Sequence, residues 1–290
     1  MILLASSEGE SAFPAAVPIL EAGGSIVDAL EAAIRAVEVA GSLSVGMSGE
    51  PNVLGRHELD GGIMDGRTLK SGAVAALQGC RHPISVARKV MEMLPHELLV
   101  GRGAALFAKE TGLLDDLDAL TGDVGNLGPH FGGAPIWKKA TEAVRRYENH
   151  DTVVVLGVDR SGTIAAGTST SGLAGKYPGR VGDSPIVGAG FYAMNGVGAC
   201  ACTGVGEMTI RRSTARMTVE HMKNGVSVEE AVRKSLAELT DLEGGLLGGV
   251  TVHAIDAGGG HFVGAVRGKP RTYYLWSDGA PVRTLAAAVD

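Results

Sequence analysis

The feature that most constrains this 290-residue chain is the run Thr152-Val153-Val154-Val155-Leu156-Gly157-Val158. It is almost wholly apolar, mostly β-branched and has no polar alternation. Such a run reads as a strand buried on both faces, so each face needs a covering layer. Asp159-Arg160-Ser161-Gly162 is a turn signal, and Thr163 to Thr170 reads as a second strand, making a hairpin. Gly198 to Thr203 is a third strand. Helices are expected over Met208 to Met222 and Ser227 to Leu242, then strands over Gly249 to Ile255, His261 to Val266 and Thr272 to Trp276.

The half before Thr152 reads helical. Ala12 to Leu20 is one helix. Ser25 to Ala40 is another, with Ile26, Leu30, Ile34 and Val37 on one face, after a Gly23-Gly24-Ser25 stop and cap. Gly41 to Gly66 reads as turn-prone. His82-Pro83 opens a helix over Ile84 to Leu94, and Leu98-Leu99-Val100 is a short strand before a helix over Ala104 to Thr111. Periodicity vanishes from Gly122 to Pro135, the best linker candidate, and a polar helix follows from Lys138 to Glu148. Helices, strands, helices, strands is the block order of stacked layers, α/β/β/α, and not of βαβ alternation. The expectation is one domain over 1–290.

Composition narrows the function. Lys and Arg number 26 against 32 Asp and Glu, a net charge of −6 without basic runs, which disfavours a phosphate backbone as partner. No apolar run approaches the roughly 18 residues of a membrane span, and Met1 to Ala5 lacks the features of a signal peptide. Three cysteines are no disulfide framework, so the cytoplasm is the expected compartment. The 44 glycines, about twice the usual ~7% share, suggest close backbone packing and exposed N–H groups of the kind that grip a substrate.

Several motifs carry little. Gly101-Arg102-Gly103 lacks the third glycine of a dinucleotide loop and reads as a strand-to-helix turn. Cys200 and Cys202 share a strand face but lack further zinc ligands, so they read as small buried residues, and no metal or cofactor is expected. No nucleophile elbow and no His-Glu-x-x-His is present. Thr152 alone is an ordinary strand threonine, and Arg180 with Asp183 could be a loop ion pair.

Together the segments say more. His150-Asp151-Thr152, Gly167-Thr168-Ser169-Thr170-Ser171-Gly172, Gly179-Arg180-Val181-Gly182-Asp183-Ser184-Pro185 and Thr203-Gly204-Val205-Gly206-Glu207 resemble the N-terminal-nucleophile (Ntn) hydrolases of the glycosylasparaginase and isoaspartyl-peptidase/plant-type asparaginase group. The likeness extends to Ser44-Val45-Gly46, Glu58-Leu59-Asp60, Ile63-Met64-Asp65-Gly66 and Gly72-Ala73-Val74-Ala75, and covers nearly the whole chain. It implies a four-layer αββα sandwich and self-cleavage at Asp151–Thr152, assisted by Asp151. The products would be an alpha chain (1–151) and a beta chain (152–290), paired into a dimer of two such units.

The implied roles are chemically coherent. Cleavage gives Thr152 an α-amine of ordinary pKa near 7.7–8.0, a base for its own weakly nucleophilic hydroxyl. Thr170 would orient Thr152. Thr203 and Gly204 would form the oxyanion hole, while Arg180, Asp183 and Gly206 would bind the α-carboxylate and α-amine of an aspartyl substrate. The reaction the resemblance implies is hydrolysis of a side-chain amide: L-asparagine, a β-aspartyl peptide or a glycosyl-asparagine.

Three departures stand out. The mouth tryptophan of glycosylasparaginases is missing near Ser7, Val154 replaces a glycine, and Glu207 leans toward the plant-type enzymes whereas Ser44-Val45-Gly46 leans away. The alternatives are glycan-linked asparagine as main substrate, or an uncleaved family member that only binds.

Overall fold

The β-branched run is an inner strand of an eight-stranded sheet. This emerges from a computed structural model that describes residues 1–7, 9–41, 45–121, 135–146, 152–277 and 279–289. Before residue 152 the elements are β1 (Ile2–Ala5), α1 (Gly9–Glu21), α2 (Ile26–Val39), β2 (Leu59–Asp65), β3 (Ser71–Leu77), α3 (Pro83–Met93), β4 (Leu98–Val100), α4 (Gly101–Glu110), α5 (Asp118–Thr121) and α6 (Ile136–Arg146). After it come β5 (Val153–Val158), β6 (Ile164–Thr170), β7 (Phe191–Met194), β8 (Gly198–Gly204), α7 (Gly206–Arg212), α8 (Thr214–Lys223) and α9 (Val228–Thr240). The chain closes with β9 (Val250–Asp256), β10 (His261–Val266), β11 (Thr272–Trp276), β12 (Val282–Leu285) and β13 (Ala287–Ala288).

The larger sheet runs β12-β11-β1-β5-β6-β2-β3-β4 and the smaller β13-β10-β9-β8-β7. This mixed α/β arrangement has three buried apolar clusters. One joins α1 to α4 with Val153, Val155 and Ala165 of the larger sheet. A second joins the two sheets through Leu4, Val154, Leu156 and Ile164 on one side and Phe191, Ala199, Ala201 and Ile255 on the other. The third packs Cys200, Cys202, Val252 and Ala254 against α8 and α9. Side chains alternate across a strand, so residues 152, 154 and 156 share the inter-sheet face of β5, as do 168 and 170 on β6 and 199, 201 and 203 on β8.

Local chemistry explains several boundaries. The Ser25 hydroxyl accepts from the Asp28 N–H at 3.1 Å and caps α2, whose Ile26, Leu30, Ile34 and Val37 are fully buried. Pro83 starts α3, where a missing N–H costs nothing. Cys200 and Cys202 are fully buried.

Other expectations need correction. The half before Thr152 is not simply helical, since β1, β2 and β3 come from it beside the expected β4, and β1 and β2 flank the β5/β6 hairpin. The turn-prone reading of 41–66 missed β2, which pairs in register with β6 (Gly62↔Thr168) and β3 (Gly62↔Ala73). Gly62 is needed there because a Cβ would lie 2.4 Å from the Phe191 ring. The single helix over 208–222 is two, α7 and α8, broken at Ser213 with φ +50°. The restart docks on the preceding loop, with Ala215 and Arg216 N–H donating to Ala189 and Gly188 carbonyls. β7, β12 and β13 were not foreseen, and α4 begins at Gly101 rather than Ala104. Most of the linker candidate, residues 122–134, lies outside the described residues, as do His150, Asp151 and Ser44.

Candidate active site

Thr152 stands just before β5, buried, on the face that meets the smaller sheet. Since Val153 pairs with Ser169, Thr170 ends the neighbouring strand beside it. Thr203 reaches the same layer from β8, opposite Thr251. Thr152, Thr170, Arg180, Asp183 and Gly204 line one small cavity together with Gly172, Leu173, Gly182 and Ser184, with about 10 Å³ free. That is room for about one water. Thr203 and Gly204 also border a second, larger cleft.

Ser6 tethers the candidate nucleophile. Its hydroxyl donates to the Thr152 carbonyl at 3.2 Å and accepts from the Val154 N–H at 3.1 Å. Its own N–H donates to the Val154 carbonyl. The residue before it closes β1, so the first strand of the chain holds the backbone on either side of Val153. Val154 itself is fully buried between the sheets.

The charged pair differs from the free fork expected at Arg180. The Arg180 Nε and Nη2 donate to the two Glu207 carboxylate oxygens at 3.0 and 2.8 Å, a bidentate pair that commits one edge of the guanidinium. Nη1 lies toward Gly172 and Gly182, where a Cβ would come within 3.4 and 2.9 Å of it. Asp183 is buried and accepts from the Thr209 hydroxyl at 2.7 Å. Burial pushes its carboxyl up to about 6, although Thr209 and Arg180 pull it down. A Cβ on Gly206 would sit 2.5 Å from the Asp183 Oδ1, so only glycine leaves that carboxylate uncovered. Gly204 has φ +111° and a Cβ there would meet the Gly249 carbonyl at 2.1 Å.

Behind the cavity lies a buried ionic network that sequence reading left without a role. The Lys176 ammonium, wholly buried, donates to the Glu58 carbonyl at 2.7 Å. Desolvation lowers its pKa, while Asp60 and Glu58 oppose that. Asp60 is buried too; desolvation raises its carboxyl, against Lys176, the Ala76 N–H and Arg180. It accepts from the Ala76 N–H at 2.8 Å, and Glu58 accepts from the Gly179 N–H at 3.1 Å. The loop carrying Arg180 is thereby anchored to β2. A lysine in a Gly-rich loop gives no hint of burial, so only the paired acids at Glu58 and Asp60 were a signal.

Two threonines, an arginine and a buried carboxylate thus surround one small cavity. A model of the asparaginase family matches residues 6–265. The chain is 39% identical over 247 residues to the human isoaspartyl peptidase/L-asparaginase, covering 81% of this chain and 75% of that protein. It is 38% identical over 248 residues to the isoaspartyl peptidase of Salmonella typhimurium (81% and 76% covered). It is 37% identical over 227 residues to the N(4)-(beta-N-acetylglucosaminyl)-L-asparaginase of Elizabethkingia miricola (77% and 64% covered). The chain belongs to the asparaginase family.

Proposed function

We propose that this protein is an amidohydrolase that cleaves the side-chain amide of L-aspartyl substrates with Thr152 as nucleophile, after Thr152 has cut its own bond to Asp151. The observation that carries the reading is the convergence of Thr152, Thr170, Arg180, Asp183 and Gly204 on one cavity. The three apolar clusters support a four-layer αββα sandwich of the Ntn-hydrolase type, built as one domain from both product chains. Two alpha–beta pairs would associate as the family resemblance implies. Three free, buried cysteines fit a reducing compartment, and the cytoplasm is the one we favour. No helix among the described residues is long and apolar enough to cross a membrane.

The chemistry runs in two steps. The Thr152 hydroxyl oxygen attacks the β-carbonyl carbon and passes its proton to the Thr152 α-amine. The oxyanion is met by the Thr203 hydroxyl and the Gly204 N–H, donors worth roughly 3 kcal/mol each in such sites. Collapse expels the amine, which takes the proton, and leaves an aspartyl ester on Thr152. Water, deprotonated by the same α-amine, then releases aspartate. Arg180 holds the substrate α-carboxylate and Asp183 its ammonium. Cutting before Thr152 frees the amine that serves as base.

Mass spectrometry of the purified protein should show a fragment beginning at Thr152, absent from Thr152→Ala. The matured protein should hydrolyse L-asparagine or a β-aspartyl dipeptide. A chain that stays whole and turns over neither, while still binding aspartate, would establish the binding-protein alternative instead.

A further inference from the structure

The second cleft has about 640 Å³ of space and meets the nucleophile's cavity at Gly204, with Thr203 also on its wall. Its walls are the loop before β9, the loop between β10 and β11, and the end of α6. Glycines press these walls together: a Cβ on Gly268 would lie 3.0 Å from the Gly249 Cα, and the Gly249 carbonyl abuts Gly204 and accepts from the Val205 N–H. The cleft is therefore rigidly hung on the proposed oxyanion hole. Its lining includes Arg145, Arg267, Lys269 and Arg271, and no aspartate or glutamate among the described lining residues. These four cations on the lining contrast with the net charge of −6 carried by the whole chain.

We propose that this cleft is the leaving-group subsite, and that it selects β-aspartyl peptides whose second residue is acidic. The inference rests on the hydrolase reading above. An aspartyl group held by Arg180 and Asp183, with its β-carbonyl oxygen at Thr203 and Gly204, has one large space left beside that carbonyl for the amine portion. Ammonia uses none of its charge, whereas a peptide leaving group brings a terminal carboxylate and, with an acidic side chain, a second one. Arg267 lends the cleft its charge and not a free fork, because its Nη2 donates to the Thr240 carbonyl at 2.7 Å, outside the cleft lining. Lys269 is exposed at the rim. Rim cations act mainly through long-range attraction, so the preference is salt-dependent.

The test compares kcat/KM for β-Asp-Glu, β-Asp-Gln and β-Asp-Lys on protein shown to be cut at Thr152. At low salt the glutamate peptide should exceed its isosteric glutamine partner about fivefold and the lysine peptide about twentyfold. The margins should shrink at about 0.5 M NaCl. Lys269→Glu should cut the Glu-to-Lys ratio by about tenfold. Equal rates for the three peptides, insensitive to salt and to Lys269→Glu, would overturn the subsite and leave the hydrolase reading standing. No turnover of any β-aspartyl substrate would overturn both.

Discussion

The layer between the two sheets has two ends built from the same strands. At one end Leu156, Val158 and Ile164 meet Ile255 and Val263 in a dry apolar cluster. At the other, one turn of the alternation away, stand Thr152, Thr168, Thr170, Thr203 and Thr251, all buried. Valine and threonine have the same shape, so a strand passes from core to chemistry by exchanging a methyl for a hydroxyl without altering its backbone. The apolar end supplies stability, and the hydroxyl end sits where that rigidity holds it against Arg180 and Asp183. The difference separates what folds the protein from what we propose it does.

Thr152→Val is the sharpest way to break this contrast, because it extends the apolar end into the site. The variant should fold with nearly unchanged urea stability, remain one chain on a denaturing gel, and lose at least about a thousandfold in hydrolysis. Arg180→Ala should follow, lowering kcat/KM more than about thirtyfold, since a substrate carboxylate would lose its bidentate partner. That variant also strands Glu207, so Arg180→Lys is the useful companion and should recover only part of the activity. Leu156→Ala, at the other end, should reverse the pattern. Urea titration should show a loss of about 2–5 kcal/mol while the surviving folded fraction retains most of its kcat.

The pH response sharpens the comparison, because the hydroxyl end contains a carboxylate, Asp183, that burial pushes up to about 6. That value lies above its ordinary 3.8, so ionising it opposes folding. Its contribution to stability is present below pH ~4 and is lost as pH rises through about 6. Binding of an ammonium requires the ionised form, so below pH 6 Asp183 should add about a tenfold fall in kcat/KM per pH unit to the fall already set at higher pH by protonation of the Thr152 α-amine, ordinarily near 7.7–8.0. Asp183→Asn should remove that added steepness while keeping the Thr152 limb, and lower the plateau, which a pH profile on a β-aspartyl dipeptide will reveal. The smallest effect belongs to Ser6→Ala, which removes the tether between β1 and Thr152. We expect a loss of about 1 kcal/mol of stability, with slower appearance of the Thr152 fragment by mass spectrometry.

Legibility in the sequence followed local signals. The β5/β6 hairpin, α2, α3 and α9 were readable from β-branching, caps and helical spacing. β2 was not, because Leu59-Asp60-Gly61-Gly62 carries neither alternation nor β-branching. It is a strand because β6 and β3 supply ladders on both sides and Phe191 needs the space at Gly62. β7, β12 and β13 are short and take their pairing from neighbours. The break at Ser213 depends on carbonyls offered by the loop at Gly188 and Ala189, which no window of sequence around the helix contains.

The sequence by itself determined which residues are candidates for the proposed chemistry and that a strand buried on both faces follows Thr152. The type and spacing of these groups are local, and the alternation of a strand fixes which of them share a face. Only the tertiary structure decided that Glu207 takes one edge of Arg180, that Ser6 tethers Thr152, and that Lys176 is buried against Glu58 and Asp60. It also decided that four cations gather around the cleft beside Gly204. Those partners lie far apart along the chain, and their meeting depends on how two sheets stack, a packing outcome that no short-range propensity encodes.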